Sequence, residues 1–368
     1  MKSRQILVGN VAIGGGAPVV IQSMCNTPTA DVETTLTQIR RLAAAGCQII
    51  RLAVPDMQAA EAFSVISKSS PIPVIADIHF DHRLAVRAIE NGAAAVRVNP
   101  GNLGGDAAVK AVAEALKKYN VPVRVGANSG SLPADLNKHL AAVSAAEHDE
   151  LLSDALVEAV LNQAAAFERY GVSNIKVSLK ASSVTATVKA CRKFALKSDY
   201  PQHIGVTEAG TPGRGIIKSA VGIGALLLDG IGDTMRVSLT ADPEQEVAAA
   251  LRILESAGLR EAAPDIVACP TCGRTRIDLV ALAEKVEQLI DRIKAEQGVI
   301  QLKKVAVMGC VVNGPGEAKD ADIGIAGGEG KVVLFQKGSI VGTMSESEGF
   351  AALEKIIRDH TVWKTLCS

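Results

Sequence analysis

Short apolar runs alternate along this chain with segments whose apolar residues recur at helical spacing. The apolar runs predict eight strands, at 19–24, 49–54, 74–80, 95–100, 123–128, 174–180, 203–208 and 234–239. The segments between them predict helices at 34–45, 57–68, 82–91, 106–119, 151–170, 183–197, 213–227 and 243–257. Eight strand–helix units over about 250 residues are typical of a (β/α)8 barrel, also called a TIM barrel. A doubly wound sheet is the alternative, but no Gly-rich phosphate fingerprint follows the first strand.

The two ends of the chain depart from this alternation. Residues 5–18 predict a small hairpin that could plug one end of the barrel. Residues 258–265 predict a linker, and beyond it we expect a strand ending at Cys269, a helix at 276–296, a strand at 304–308, a strand pair around 323–343 and a helix at 346–358. The pattern therefore predicts an α/β protein with an N-terminal barrel domain over 1–258 and a smaller C-terminal α/β domain over 259–368.

The composition supports layered α/β packing and narrows the classes of partner. Only 3% of the 368 residues are aromatic, and small aliphatic residues dominate, which suits helices packed closely on a sheet. The net charge is +0 and no long basic run occurs, so we expect no nucleic-acid partner. No segment approaches the ~20 apolar residues of a membrane span, so we expect no membrane role and a cytoplasmic location. The 7 cysteines are an odd number, as expected of reduced thiols of which a few bind a metal.

One basic residue between two aliphatic residues marks five of the predicted barrel strands. These residues are Arg51, Arg97, Arg124, Lys176 and Arg236, and Lys180 follows on the sixth strand. Side chains alternate across a strand, so basic residues between helix-facing aliphatics point into the barrel. The strands supply fewer acids, Asp77 and Glu208, and the surplus positive charge predicts a polyanionic ligand such as a diphosphate. Buried ion pairs between strands are the alternative for any single arginine.

Further polar residues follow on the same predicted strands. Hydrogen bonds to the same ligand could come from Asn99, Asn128, Ser178 and Ser238, which stand one or two strand steps onward. His79 and His203 could each be catalytic or structural, and the pattern leaves the same question open for Asp77.

The C-terminal domain contains a candidate metal site. Cys269 and Cys272 lie in a Cys-Pro-Thr-Cys stretch, and Cys310 follows the strand at 304–308. These three thiols and the carboxylate of Glu317 could bind one metal centre. A structural zinc site closes with four Cys or His ligands, whereas an iron–sulfur cluster that contacts substrate needs one replaceable ligand, for which Glu317 is the candidate. Zinc, and a redox or structural Cys-x-x-Cys pair, remain the alternatives.

Six longer motifs occur along the chain in one order. They are Val-Ile-Gln-Ser-Met at 20–24, Arg-Val-Asn-Pro-Gly at 97–101, Arg-Val-Gly-Ala-Asn-Ser-Gly at 124–130, Gly-Val-Thr-Glu-Ala-Gly at 205–210, Cys-Pro-Thr-Cys-Gly-Arg at 269–274 and Val-Asn-Gly-Pro-Gly-Glu at 312–317. Through these motifs the chain resembles, essentially end to end, the 4-hydroxy-3-methylbut-2-enyl diphosphate synthases. That family comprises the iron–sulfur enzymes of the non-mevalonate isoprenoid pathway, and this chain resembles its short, two-domain bacterial form.

The resemblance implies a cofactor, a reaction and partners. A [4Fe–4S] cluster would be held in the C-terminal domain by Cys269, Cys272, Cys310 and Glu317. The substrate would be 2-C-methyl-D-erythritol 2,4-cyclodiphosphate, which two single-electron transfers open and dehydrate to (E)-4-hydroxy-3-methylbut-2-enyl diphosphate. Flavodoxin or ferredoxin would donate the electrons, and the protein would be a homodimer with active sites shared between subunits.

The resemblance also implies roles for barrel residues. The diphosphate would be bound by Arg51, Arg97, Arg124 and Lys180, with Asn128 and Ser238 assisting. Glu208 would protonate the departing hydroxyl group, and Asn313 would lie beside the cluster.

Two other classes of protein fit parts of the pattern. A phosphate-substrate barrel transferase of the pterin type could carry a structural zinc domain. An electron carrier could use the same cluster, but it would have no use for the basic residues of the barrel.

Overall fold

The computed structural model describes residues 2–131, 143–260, 264–296, 298–312, 316 and 318–363. The chain divides into two compact units, Met1–Arg260 and Glu261–Ser368. We call them the barrel unit and the C-terminal unit. No helix among the described residues is both long enough and apolar enough to span a membrane.

Eight parallel strands form the barrel. They are β3 (Val20–Met24), β4 (Ile49–Ala53), β5 (Val74–Asp77), β6 (Ala95–Arg97), β7 (Val123–Asn128), β8 (Ile175–Lys180), β9 (His203–Ile204) and β10 (Thr234–Met235). Neighbouring strands pair in the order β8-β7-β6-β5-β4-β3-β10-β9. The ring closes at Val177, which forms a parallel bridge with Gln202 and donates its backbone N–H to Pro201 at 2.9 Å. The predicted (β/α)8 barrel is therefore confirmed.

Helices follow the strands on the outside of the barrel. They are α1 (Val32–Ala44), α2 (Met57–Ser69), α3 (His82–Glu90), α4 (Asp106–Tyr119), α5 (Ala145–Glu168), α6 (Val184–Lys197), α7 (Pro212–Leu228) and α8 (Pro243–Ser256). Asp31, Asp56 and Asp81 cap the first three, each accepting a hydrogen bond from a backbone N–H of the first turn. Fully burying an apolar side chain such as Phe63 in α2 contributes about 1.5–3 kcal/mol to stability.

Helix α5 begins earlier than the predicted residue 151. Ser144 accepts a hydrogen bond from the backbone N–H of Glu147, whose carboxylate accepts one from the backbone N–H of Ser144. This capping box satisfies two backbone donors and sets the helix start. The Ser-x-x-Glu spacing in the sequence is itself a signal for a helix that starts at this position.

A hairpin closes the amino-terminal end of the barrel. Strands β1 (Ile6–Val8) and β2 (Val11–Ile13) pair antiparallel. Their side chains form one buried cluster with early residues of four barrel strands; the members are Ile6, Val8, Ile13, Val20, Ile49, Ile75 and Ala95. The hairpin predicted at 5–18 therefore has the plugging position expected of it.

Several barrel strands end earlier than the apolar pattern predicted. The predicted strand at 95–100 stops at Arg97, and the side chain of Asn99 caps a short 3-10 helix, Pro100–Asn102. The strand predicted at 203–208 stops at Ile204, and Glu208 adopts a left-handed backbone conformation with φ 52°. Asn99 and Glu208 therefore lie in loops, whereas Asn128 and Ser178 remain within β7 and β8.

In its described part, the C-terminal unit contains a five-stranded mixed sheet and two long helices. Its strands are β11 (Asp265–Ala268), β13 (Lys304–Met308), β14 (Ile323–Gly327), β15 (Val332–Gln336) and β16 (Ser339–Met344), paired in that order. The helices are α9 (Leu279–Ala295) and α10 (Glu346–Asp359). Two further short strands, β12 (Gly298–Ile300) and β17 (Thr361–Trp363), pair antiparallel and were not predicted.

Two predictions for this unit were wrong in detail. The strand pair expected around 323–343 is three strands, because the glycines at its start lie within β14. A Cβ on Gly324 would lie 2.2 Å from the Phe335 ring, so the glycine makes room for an aromatic side chain of β15. Helix α9 begins at Leu279 instead of 276 because Asp278 caps it.

Candidate active site

The basic residues predicted on the barrel strands lie in register on neighbouring strands. Arg124 pairs with Arg97 on one side and with Lys176 on the other, and Asn128 pairs with Lys180. Arg124, Lys176 and Lys180 are buried. The strand register therefore concentrates positive charge inside the barrel, as the alternating pattern predicted.

Asp77 is the anion that two of the arginines share. Its carboxylate lies 3.1 Å from Nη1 of Arg97 and 3.5 Å from Nε of Arg51. Nε2 of His79 lies 3.6 Å from the same carboxylate. Burial alone would raise the pKa of Asp77, but Arg51, the hydrogen bond from His79 and Arg97 outweigh it and hold this pKa well below its usual value.

Arg236 has a partner that the sequence did not reveal. Its Nε and Nη2 donate to the carboxylate of Glu246 in α8 at 3.1 and 3.2 Å, a bidentate pair. Glu246 also accepts the backbone N–H of Leu239 at 2.9 Å. The strand pattern predicts only Asp77 and Glu208 as acids beside the basic residues, whereas Glu246 in helix α8 is a third such acid. An acidic residue on the buried face of an amphipathic helix was the available signal.

The sequence pattern also did not predict that Met24 contacts the basic residues. Its sulfur accepts a hydrogen bond from Nη2 of Arg51 at 2.9 Å and lies 3.6 Å from Nη1 of Arg236. A thioether is a weak acceptor, so it neutralises neither cation. Burial lowers the pKa of Arg51 to about 10; Asp77 opposes this shift, and Arg236 and Arg97 add to it.

Arg124 and Lys180 lack a carboxylate partner among the contacts of the described residues. Nη1 of Arg124 donates to Oγ of Ser178 at 3.3 Å. Nζ of Lys180 lies so close to Gly205 that a Cβ there would come within 2.8 Å of it. Burial, then Arg124 and Arg236, lower the pKa of Lys180 well below its usual value. The interior thus carries cations that a bound anion would stabilise.

A cavity opens where the strands end. Its volume is about 220 Å³, and it is lined by His79, Arg97, Asn99, Asn102, Asn128, Ser129, Gly130, Thr207 and Glu208. Of the predicted site residues, the structure brings Arg97, Asn128 and Glu208 together here. Arg51, Arg124, Lys180 and Ser238 do not line this cavity. Active sites of TIM barrels lie at this end of the strands.

The two histidines occupy different places. His79 is exposed at the cavity, whereas His203 is buried and its Nδ1 lies 2.9 Å from Oγ1 of Thr234. Burial, then Lys180 and Arg124, lower the pKa of His203 well below its usual value.

In the C-terminal unit, two cysteines meet at one edge of the sheet. Strands β11 and β13 are parallel neighbours, and Cys269 and Cys310 follow their carboxyl ends. The backbone N–H of Gly309 donates to Sγ of Cys269 at 3.1 Å. Cys272 is exposed, and a backbone hydrogen bond from Arg274 is the main cause that lowers the pKa of its thiol. All three thiols are free.

The donor chemistry at this edge fits an iron–sulfur cluster, which binds cysteine thiolates. In the described part of the chain, however, no three His, Cys, Asp or Glu side chains are grouped closely enough to hold a metal. The predicted ligand Glu317 and the predicted neighbour Asn313 lie outside the described residues. The structure therefore brings Cys269 and Cys310 to one edge without closing a ligand set.

The other described cysteines behave as packing residues. Cys25, Cys47 and Cys191 are buried in the barrel unit. Burial raises the pKa of Cys25 and of Cys191 to about 12. Their thiols are therefore uncharged and apolar in character, unlike that of Cys272.

A parallel barrel with unmatched interior cations, joined to an α/β unit that presents free thiols, is typical of enzymes that act on anionic substrates. The comparisons with known proteins are more specific. Residues 3–251 match the model of the GcpE TIM-barrel domain, and residues 265–359 match that of the GcpE protein C-terminal domain. The chain belongs to the GcpE family, and it is an enzyme of that family.

Curated relatives agree over nearly the whole chain. A protein of Maridesulfovibrio salexigens is 52% identical over 92% of this chain and 91% of its own length. One of Geobacter sulfurreducens is 51% identical over 97% of this chain and 99% of its own length. Both are named 4-hydroxy-3-methylbut-2-en-1-yl diphosphate synthase (flavodoxin). The resemblance inferred from the motifs is confirmed.

Solved structures show a remote likeness. The dihydropteroate synthase of Yersinia pestis covers 69% of this chain and 98% of its own, at 12% identity and a TM-score of 0.43. A likeness with so low a TM-score supports no functional inference, and it does not support the transferase alternative.

Proposed function

We propose that this chain converts 2-C-methyl-D-erythritol 2,4-cyclodiphosphate to (E)-4-hydroxy-3-methylbut-2-enyl diphosphate by reductive ring opening and dehydration. The observation that carries this proposal is sequence identity. About half of the positions, in both units, are identical in relatives that are named for that product. The alternative of a barrel transferase with structural zinc is not favoured by the family.

The barrel unit would bind the diphosphate. Charge-assisted contacts would come from Arg51, Arg97, Arg124 and Lys180, with Asn128 and Ser238 as further donors. The support is electrostatic: buried cations outnumber the acids that face them, and a fixed set of donors loses little freedom when an oxyanion binds. Asp77 would hold Arg51 and Arg97 in place, which makes it a positioning residue.

Glu208 would act as the general acid. It lines the cavity together with Arg97 and Asn128, so a diphosphate held by those residues would bring its carbon chain near the carboxyl group. In the dehydration, the bond between carbon and the hydroxyl oxygen would break, and Glu208 would give its proton to that oxygen so that water leaves. The two electrons delivered to the substrate would form the carbon–carbon double bond of the product. Such positioned proton transfer contributes about 10²–10⁴-fold to a rate.

The C-terminal unit would hold a [4Fe–4S] cluster through Cys269, Cys272, Cys310 and Glu317, with Asn313 beside it. Three free thiols, two of them following adjacent parallel strands, support this assignment. When bound, the cluster supplies electrons singly to the substrate. The carboxylate of Glu317 would be the replaceable ligand, because oxygen binds such iron more weakly than thiolate sulfur does.

Flavodoxin is the proposed electron donor, because the curated relatives carry it in their names. Ferredoxin is the second candidate. The described cysteines are all free, as expected of a protein that works in the reducing cytoplasm.

An anaerobic preparation tests the proposed function. We expect a brown protein that contains iron and acid-labile sulfide, whose visible absorbance is bleached by dithionite and which converts the cyclic diphosphate to the linear one. A colourless protein containing stoichiometric zinc would support the transferase alternative. An iron protein that does not bind the cyclic diphosphate would support the electron carrier.

We further propose a homodimer whose active sites are shared between subunits. Arg124→Ala chains, defective in the barrel unit, and Cys310→Ser chains, defective in the C-terminal unit, should complement each other after subunit exchange. A mixed dimer would hold one site with both defects and one with neither, so random equal mixing should restore roughly a quarter of wild-type activity. No recovery after proven exchange would show that each site is built from one chain.

A further inference from the structure

Two buried bases in the barrel have no role in the function proposed above. Nζ of Lys176 on β8 and Nε2 of His203 on β9 are buried, and within the described ranges neither has a hydrogen-bond partner. We call Lys176 and His203 the interior bases. A buried polar group without a partner destabilises the folded protein, so its retention calls for a physical reason.

The surroundings of the interior bases are strongly cationic. Lys176 is the strand partner of Arg124, and Arg51 also acts on it from β4; Asp233, just before β10, is the acid that opposes them. His203 faces Lys180, Arg124, Lys176 and Arg51, and its other ring nitrogen lies beside the hydroxyl of Thr234. Among the contacts of the described residues, no carboxylate pairs with His203 as Asp77 pairs with Arg97.

We propose that Lys176 and His203 take up protons when a diphosphate binds to the cations of the barrel. This inference rests on the proposed function. In the free protein the interior bases would be largely neutral, because further positive charge near Arg124 and Arg51 is unfavourable. A bound polyanion neutralises those cations, so that protonation of the interior bases becomes favourable. The interior bases would then add positive charge to the site only when the ligand is present.

The directions of the two pKa shifts support this proposal. Burial, then Arg124, lower the pKa of Lys176 to about 7, and Asp233 opposes this only in part. Burial and the surrounding cations likewise lower the pKa of His203. At about pH 8 a lysine with that pKa carries a proton in only about a tenth of the molecules. An anion nearby raises both pKa values, so binding draws protons from solvent.

The cyclic diphosphate is a suitable probe because it contributes no protons itself. Each of its phosphorus atoms carries one strongly acidic hydroxyl, which is fully ionised near neutral pH. The only change is therefore protonation of the amine of Lys176 and the imidazole of His203 by protons from water. No bond of the ligand forms or breaks, and without a reductant no turnover occurs.

Calorimetric titration of the holoenzyme with the cyclic diphosphate, without reductant, tests the proposal. At about pH 8, repeating the titration in buffers of different ionisation enthalpy measures the protons taken up per ligand. We expect net uptake in the wild type and about one proton less in Lys176→Met and in Lys176→Gln. If ligand binding raises the pKa of Lys176 by about two units, each variant should also bind about tenfold more weakly at about pH 8. At about pH 6, where Lys176 is already protonated in the free protein, that uptake should vanish.

Two controls separate the interior bases from a general effect of core substitution. Ser219→Ala also removes a buried hydroxyl without a partner, but from helix α7, and it should leave the proton uptake unchanged. His203→Gln should lower the uptake near the lower end of the pH range. Binding of the cyclic diphosphate without proton uptake by the wild type would overturn this inference and leave the proposed function standing. Absence of binding would overturn both.

Discussion

The barrel unit and the C-terminal unit present their functional side chains in different ways. In the barrel, Arg124 and Lys180 lie within strands and are buried, at 4% and 8% exposure. In the C-terminal unit, Cys269 and Cys310 come after strands, and Cys272 is exposed in the loop that follows β11. The cations are therefore positioned by strand register, whereas the thiols are positioned by loops.

This difference has an energetic consequence. Strand register and burial hold the basic side chains in one arrangement, so an anion that binds them meets donors that are already oriented. Their mutual repulsion is balanced in part by Asp77 and Glu246. A thiol in an exposed loop, such as that of Cys272, is less constrained by its neighbours, so metal binding itself contributes to fixing its position. Substitutions of the interior cations should thus act on ligand affinity, and substitutions of the thiols on metal retention.

The largest effect is expected from Cys310→Ser, Cys269→Ser or Cys272→Ser. Loss of one of three thiolates should abolish retention of the cluster, because too few anchors remain. Iron content and the visible spectrum measure this. Cys191→Ala, in the barrel unit, is the matched control and should retain iron. A Cys310→Ser protein with full iron content would contradict the ligand assignment.

Glu208→Gln should bind the cyclic diphosphate but turn it over about 10²–10⁴-fold more slowly, because an amide cannot deliver the proton. Single-turnover kinetics with saturating reductant measure the chemical step, and calorimetry measures the binding. Glu244→Gln, a half-buried acid in α8 that pairs with Arg41 outside the cavity lining, is the control and should keep wild-type turnover. Normal turnover in Glu208→Gln would assign this residue a structural role.

Arg124→Ala should weaken binding of the cyclic diphosphate while leaving the cluster spectrum intact. Hydrogen bonds to charged groups contribute about 1.5–3 kcal/mol, which corresponds to about a 10- to 150-fold loss of affinity. Arg192→Ala removes a surface arginine paired with Asp229 and should change nothing. Unchanged affinity in Arg124→Ala would mean that the interior cations serve the fold alone.

The smallest effect concerns the independence of the two units. Each contains a helix with a capping box, Ser144 with Glu147 in α5 and Ser345 with Glu348 in α10. Replacing either serine by alanine should cost about 1 kcal/mol of unfolding free energy. The single tryptophan, Trp363, lies in the C-terminal unit, so its fluorescence follows that unit during urea denaturation.

If the units unfold independently, Ser345→Ala should shift the fluorescence midpoint and Ser144→Ala should not. Equal shifts in both variants would show that the two units unfold as one cooperative body.

Local patterns in the chain were enough to predict much of this molecule. Apolar runs placed every barrel strand, and the basic residue between aliphatics at Arg124 and Lys176 pointed inward as expected, because alternation along a strand is a local property. The motifs around Cys269 and Cys310 identified the family for the same reason: each is short and contiguous.

Other features depended on how separate helices and strands pack together, and these were missed. The partner of Arg236 is Glu246, which reaches it only because α8 packs against the barrel strands. Glu208 left its predicted strand for a loop at the cavity, since strand ends are decided by the neighbouring strands with which they pair. The burial that leaves Lys176 and His203 without partners likewise arises only when the barrel closes, because the desolvation of one side chain depends on all the strands that surround it.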